Sequence, residues 1–129
     1  MFLNHIALVC SSENNSDRFY QGVLGLKKMQ SKVVAADMSE KIFNLNRSYP
    51  LVNYANEHLK FEIFISEQKD IEDRRISHVC LEVGNMEIFL AKCTEMNVEI
   101  IRIPKGESVY IFVRDYDGNL FEIKEKKGE

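Results

Sequence analysis

Ser77-His78-Val79-Cys80-Leu81-Glu82-Val83 decides the fold once it is set beside Asn4-His5-Ile6-Ala7-Leu8-Val9. Both are short apolar runs of strand character with a histidine at the second position. Two further runs match in the same way: Lys60-Phe61-Glu62-Ile63 and Leu120-Phe121-Glu122-Ile123 each hold Phe-Glu-Ile inside a strand-like segment. The chain therefore carries an internal repeat whose halves each begin on a His strand and end on a Glu strand. The His-to-Glu interval is 57 positions in the first half (5 to 62) and 44 in the second (78 to 122).

The residues between His and Glu repeat as well. In the first half a helix is predicted over about Asn15–Val23, with Asn15 or Ser16 as cap, Gly22 and Gly25 at the exit, and Phe19, Val23 and Leu26 toward the sheet. In the second half a helix is predicted over about Asn85–Met96. Ile88, Phe89, Cys93 and Met96 recur at helical spacing, Asn85 caps it and Asn97 ends it. Two strands then follow in each half: Leu26–Val34 and Lys41–Asn46 in the first, Val98–Ile103 and Ser108–Arg114 in the second. Pro104-Lys105-Gly106 and Asp115-Tyr116-Asp117-Gly118-Asn119 read as turns, because Gly and Asn tolerate positive φ. Each half is thus βαβββ, an α+β class. The surplus of the first half falls in Arg47–Glu57, a predicted loop that either covers a site or is an ordinary surface connection.

Alternation then places the side chains. Successive residues of a strand point to opposite faces. In Leu59–Ser66, Leu59, Phe61, Ile63 and Ile65 oppose Lys60, Glu62, Phe64 and Ser66. In the last strand, Phe121 and Ile123 oppose Leu120, Glu122 and Lys124. In Ser77–Val83, Val79, Leu81 and Val83 oppose His78, Cys80 and Glu82. The apolar faces need the cover that one amphipathic helix per half can give. That leaves Glu62, His78 and Glu122 on the other face. His5 shares its face with Leu3, Ala7 and Val9, so its place follows from the repeat rather than from alternation. Two imidazoles and two carboxylates suit one divalent cation of borderline softness. The cation would offset the repulsion and desolvation that two unpartnered carboxylates suffer. The competing reading is a pair of satisfied histidines, with Glu62 and Glu122 paired to Lys60 and Lys124 on an exposed sheet face. His58 reads as a loop or pocket residue. Asp115-x-Asp117-Gly118 fails the EF-hand pattern, since the Gly is misplaced and no Glu closes the loop.

Bulk properties narrow the function classes. A chain of 129 residues with 45% hydrophobic content is the size of one domain with its own core, here residues 1–129, with module one at about 1–70 and module two at about 75–127. A net charge of −3 concentrates no positive charge, so neither nucleic acid nor a membrane surface is expected as a partner. The Lys124-Glu125-Lys126-Lys127 tail is mixed in sign. The start carries no signal-peptide pattern and no stretch approaches a membrane span. Cys10, Cys80 and Cys93 are odd in number, lack Cys-x-x-Cys spacing and read as reduced thiols, so a cytoplasmic location is expected.

The pattern as a whole resembles the vicinal oxygen chelate superfamily, which includes glyoxalase I and the glyoxalase/bleomycin resistance proteins. The resemblance is carried by His5-Ile6-Ala7-Leu8, Phe19-Tyr20-x-x-Val23-Leu24-Gly25-Leu26, Phe61-Glu62-Ile63, Ser77-His78-Val79 and Val113-Arg114-Asp115-Tyr116-Asp117-Gly118-Asn119-Leu120-Phe121-Glu122-Ile123. In the last run Tyr116 stands where the family usually has Pro. The resemblance implies two βαβββ modules curled as a mixed sheet around a metal cavity. It implies one divalent ion (nickel, zinc, manganese, cobalt or iron) held by His5, Glu62, His78 and Glu122, and a homodimer. For chemistry it implies a glyoxalase-like lyase or isomerase acting on a small carbonyl substrate through an enediolate-type intermediate, with Glu122 as base and Glu62 as its partner.

Two departures bear on the substrate. Glyoxalase I typically carries Arg four residues after the first ligand and Asn four after the second, both gripping glutathione, whereas Val9 and Ser66 stand here. Neither replaces a guanidinium fork, so the standard glutathione hemithioacetal is not the expected substrate. The strand Ser108–Arg114 places Tyr110, Phe112 and Arg114 on one face. They are candidate contacts for a small anionic, partly apolar ligand, or else interface or surface residues. Two other functions stay open: a ring-cleaving iron dioxygenase, and a resistance-type protein that binds a drug or antibiotic without chemistry.

Overall fold

Each half of the chain builds its own four-stranded sheet because each offers one helix to cover one sheet face. The computed structural model describes residues 3–67 and 78–127. The chain divides into two compact units, Met1–Asp70 and Ile71–Glu129.

In the first unit, β1 (Ile6–Cys10) leads into a short helix α1 (Glu13–Ser16) that continues as a π-helical segment, Asp17–Val23. Then come β2 (Lys27–Val34), α2 (Ala36–Phe43), β3 (Tyr49–Ala55) and β4 (Lys60–Ile65). The sheet order is β1-β4-β3-β2, with β1 parallel to β4 and the other pairs antiparallel. Ser12, rather than Asn15 or Ser16, caps the first helix by accepting from the Asn15 N–H. Ser16 lies inside the helix and is fully buried. Gly25 ends the segment at φ +72, as expected of the exit glycine.

Phe19, Tyr20, Val23 and Leu26 bury against Val52, Tyr54, Phe61 and Ile63 of the sheet. The Tyr20 ring stacks on Tyr54 at 5.4 Å and tilts on Phe61 at 5.3 Å. The Tyr54 hydroxyl ends in this core. It donates to Asp17 Oδ1 at 2.7 Å and lies 2.6 Å from Ser16 Oγ, which satisfies a polar group that burial would otherwise penalise. Burial pushes the Tyr54 phenol well above its ordinary range, and the adjacent Asp17 carboxylate adds to this.

Two further expectations fail in this unit. Lys41–Asn46 is not a strand: Lys41–Phe43 is the last turn of α2, and Asn44 closes that helix in the left-handed conformation at φ 59. Arg47–Glu57 is not a loop, since it contains β3, paired on both sides. The first unit is therefore βαβββ with one helix inserted between its second and third strands.

In the second unit, β5 (Val79–Val83), α3 (Met86–Glu95), β6 (Ile100–Lys105), β7 (Ser108–Arg114) and β8 (Leu120–Glu125) form a sheet of order β5-β8-β7-β6 with the same pairing directions. Asn85 caps α3 by accepting from the Ile88 N–H, and Asn97 leaves the helix at φ 56, both as expected. Leu81, Cys93, Val98, Val113, Phe121 and Ile123 are the buried core. Ile88, expected on the buried face, is exposed. Pro104 and Lys105 extend β6, so the predicted turn begins only at Gly106, with φ +60. In the Asp115–Asn119 turn, Asp115 accepts from the Asp117 and Asn119 N–H groups and from Asn119 Nδ2.

Candidate functional site

The repeat survives at the level of register. In the first unit Ala7 lies beside Glu62 and Ile6 beside Phe61. In the second, Cys80 lies beside Glu122 and Val79 beside Phe121. Each histidine thus immediately precedes the paired residues, two positions before the residue flanking its glutamate. Phe61, Ile63, Phe121 and Ile123 are buried toward the helices, and alternation turns Glu62 and Glu122 to the opposite face.

The side chains meet there. His5 Nε2 is 3.1 Å from Glu62 Oε2, and His78 Nε2 is 3.5 Å from Glu122 Oε1. Both carboxylates are largely shielded, 18% and 16% exposed, while the imidazoles are open at 40% and 45%. Neither unit gathers three or more His, Cys, Asp or Glu around one point among its described residues. Each contributes one histidine–glutamate pair.

The surroundings of the two pairs differ. Lys124 Nζ stands 3.7 Å from Glu122 Oε2, whereas the corresponding position after Glu62 is Phe64. Cys80 shares the face of Glu122. Burial, followed by the Glu122 carboxylate, pushes its thiol up, so it stands protonated beside the pair. Across the strand from Glu122 is Phe112, whose ring meets His78 edge-on at 6.0 Å. Across from Glu62 is Asn53. Above Asn53, Phe64 receives Phe43 of α2 edge-on at 5.4 Å and Tyr49 at 6.3 Å, so the inserted helix covers the Phe64 end of this face.

The expected substrate contacts lie on the Glu122 face, but two of the three are engaged. Tyr110 is hydrogen-bonded to Lys105, which also lies over its ring. Arg114 donates to the Gly118 carbonyl at 2.9 Å and pairs with Glu99 at 3.6 Å. Phe112 is the one that touches a histidine of the pairs. His58 sits in the turn after β3, where its N–H donates to Asn56 Oδ1. Ser77, part of the second histidine motif, lies outside the described residues.

The sequence profile of the glyoxalase/bleomycin resistance protein/dioxygenase superfamily matches residues 2–123. The chain belongs to this superfamily. No curated protein matches it in sequence. Among solved structures it is similar to a glyoxalase family protein from Enterococcus faecalis (21% identity, 94% of each chain covered, TM-score 0.69). It is also similar to a mutant of the fosfomycin resistance protein FosX from Listeria monocytogenes, complexed with Mn(II) and 1S,2S-dihydroxypropylphosphonic acid (19% identity, 95% of this chain and 87% of that one, TM-score 0.68). A putative dioxygenase from Bacillus subtilis aligns with 98% of this chain and 41% of its own (21% identity, TM-score 0.73). These likenesses establish the α+β fold of two four-stranded mixed sheets with helices. Among the described residues no helix is long and apolar enough to cross a membrane.

The histidine–glutamate pairs of this superfamily member suit a divalent cation on two counts. The first is geometric. Two donors about 2.1 Å from one metal lie about 3.0 Å apart at a right angle and about 3.4 Å apart at the tetrahedral angle, and the observed separations of 3.1 and 3.5 Å match that span to within about 0.1 Å. The second is protonic. Asn4 Oδ1 can only accept, so its 2.7 Å contact places a proton on His5 Nδ1. In the neutral ring Nε2 is then a bare lone pair facing a carboxylate. A metal ion between the two would accept both the ring lone pair and the carboxylate oxygen. A hydrogen bond from the far ring nitrogen is also how ligating histidines are commonly oriented.

One residue of this face escaped the sequence reading. Asn53 lay in a segment read as loop. Counting back across the hairpin from Glu62, as one counts from Glu122 to Phe112, would have placed it on the face of the pair. Its Oδ1 is buried without a hydrogen-bond partner.

Proposed function

We propose that His5, Glu62, His78 and Glu122 together hold one divalent metal ion, and that the protein is a glyoxalase-like lyase or isomerase for a small carbonyl compound. The observation that carries this reading is the duplicated pair: the same residue types, in the same register, at nearly the same separation in both units. One such pair is an ordinary strand contact. Two at matching positions supply four donors in all, and their oxygen and imidazole chemistry suits manganese, iron, cobalt, nickel or zinc.

The metal, when bound, supplies Lewis acidity where negative charge develops on substrate oxygen. The rest falls to the chain. Glu122 is the base that takes a proton from the carbon α to a carbonyl, and Glu62 is its partner in returning one. Lys124 adds positive charge beside Glu122. His5 and His78 supply the imidazole donors that would keep the ion beside the carboxylates. Phe112 supplies an apolar wall at the His78 side, and Tyr110 and Arg114 extend the same face. The engagement of Arg114 with Glu99 and Gly118 leaves anion binding a secondary role for it. We assign the assembly to a homodimer and the location to the cytoplasm.

Glutathione is not part of this reading. Val9 and Ser66 offer no guanidinium or carboxamide where glyoxalase I grips its cofactor. The test is a substrate panel on the metal-loaded protein. The hemithioacetal of methylglyoxal and glutathione should turn over poorly, while small α-hydroxy carbonyl compounds should exchange the α proton with deuterated solvent. Glu122→Gln should slow that exchange by about 100-fold or more, since a positioned base contributes about 100- to 10,000-fold. Equal exchange in the variant would remove Glu122 from the chemistry.

A further inference from the structure

The two units differ most at the residue facing each glutamate across the strand pair. In the second unit this is Phe112, packed on His78. In the first it is Asn53, directly opposite Glu62 in the antiparallel register of β3 and β4. An apolar ring needs no polar partner, but a carboxamide does. Two buried side-chain atoms among the described residues lack a hydrogen bond: Ser39 Oγ, in α2, and Asn53 Oδ1. Only the second lies on the face of a histidine–glutamate pair. Buried acceptors are ordinarily satisfied, and one left open at a site is a place where a ligand donor is expected.

We propose that Asn53 is a substrate contact: its carboxamide oxygen accepts a hydrogen bond from a substrate hydroxyl, and the protein thereby selects hydroxyl-bearing carbonyl compounds. This rests on the metal-site reading above and adds the substrate class to it. The donor is a hydroxyl rather than an ammonium because the acceptor is neutral, and a cation would be drawn to Glu62 instead. The reach agrees. Neighbouring strands lie about 4.8 Å apart, and a carbon–oxygen bond plus an O–H···O contact spans about 4.2 Å, a comparable distance. A hydroxyl on the carbon next to the chelated oxygens is therefore within reach of the Asn53 side of the strand pair when those oxygens lie near Glu62. Phe64, Phe43 and Tyr49 close the Phe64 end of the same face with apolar rings, which limits the group there to a small one.

The test uses two probes that differ by one hydroxyl, acetohydroxamate and glycolohydroxamate, titrated calorimetrically into the metal-loaded full chain. Both chelate through adjacent oxygens. Wild type is expected to bind glycolohydroxamate about 10–100-fold more tightly, the scale set by leaving one buried acceptor without a partner. Asn53→Leu, close in shape and without polar atoms, should erase the preference while keeping acetohydroxamate affinity and metal content at wild-type values. Its melting temperature without probe should hold or rise, because an unpartnered buried oxygen has been removed. Absence of a preference in wild type, or its persistence in the variant, overturns the proposal. So does a fall in metal content, which would make Asn53 a metal ligand, or a clear drop in melting temperature, which would make it a structural bond. If neither hydroxamate binds wild type, the metal-site reading fails and the proposal falls with it. Asn53→Ala serves the same comparison if the leucine variant does not fold.

Discussion

Tyr54→Phe removes one oxygen from the core of the first unit and leaves the Glu62 face untouched, because Tyr54 and Asn53 point to opposite sides of β3. The hydroxyl meets Ser16 Oγ at 2.6 Å and Asp17 Oδ1 at 2.7 Å. A hydrogen bond to a charged group contributes about 1.5–3 kcal/mol and a neutral one about 1 kcal/mol. The abandoned partners are not stranded: the Ser16 hydroxyl can give its proton to the Glu13 carbonyl instead, and Asp17 keeps Lys28 at 3.1 Å. That places the loss near the low end, about 2 kcal/mol. Unfolding entropy near 2.1 cal/mol/K per residue over 129 residues gives about 270 cal/mol/K, so the melting temperature should fall by about 7 °C. If the first unit melts alone the fall should be about twice that, because the entropy scales with its smaller length. Calorimetry and urea unfolding at neutral pH measure both quantities. The alkaline limb adds a sign. The native phenol ionises well above the unfolded one, so wild type loses stability as pH rises past about 10, and the variant lacks that component. A change under about 0.5 kcal/mol, the range of ordinary surface substitutions, would refute the assignment of these bonds.

Two further outcomes follow from buried groups in the second unit. Burial pushes the Cys93 thiol from 9.0 up to about 11, so the unfolded thiol ionises first and stability should drop by about 2–3 kcal/mol between pH 9 and 11. Cys93→Ala should lack this slope, which a difference of urea midpoints across that range would register. Asp115→Ala should destabilise by about 2–3 kcal/mol, since the carboxylate organises the turn through three hydrogen bonds. Asp115→Asn should recover part of the loss in the same thermal assay.

The legible parts of the fold were those where the core wrote the pattern. β7 matches its expected bounds, and Phe61-Glu62-Ile63 and Phe121-Glu122-Ile123 alternate cleanly because one face of each strand is buried. Asn85 and Asn97 announced α3 because capping and left-handed exit are local chemistry. The errors fell where the pattern had another origin. Met38, Ile42 and Phe43 are all substantially exposed, so their apolar run reflects no sheet face, and Lys41–Asn46 looked like a strand only because its apolar residues are adjacent. β3 was masked by Pro50 and Asn53. Pro50 stands next to the strand's first residue, where a missing N–H is tolerated more readily than in its middle, and Asn53 belongs to the face of Glu62 rather than to the core. The histidine–glutamate positions were readable from the repeat. The open acceptor at Asn53 was not, because it depends on a register that a loop reading discards.

Metal stoichiometry tests the central claim most directly. The account predicts one tightly bound divalent ion per chain in the wild type, by elemental analysis after dialysis. It predicts loss of tight binding when a ligand of either unit is removed, by His5→Ala as much as by Glu122→Gln, as the proposed shared site requires. Two ions per chain, with each substitution removing only one, would mean that the pairs act separately. No bound ion at micromolar metal would contradict the account outright.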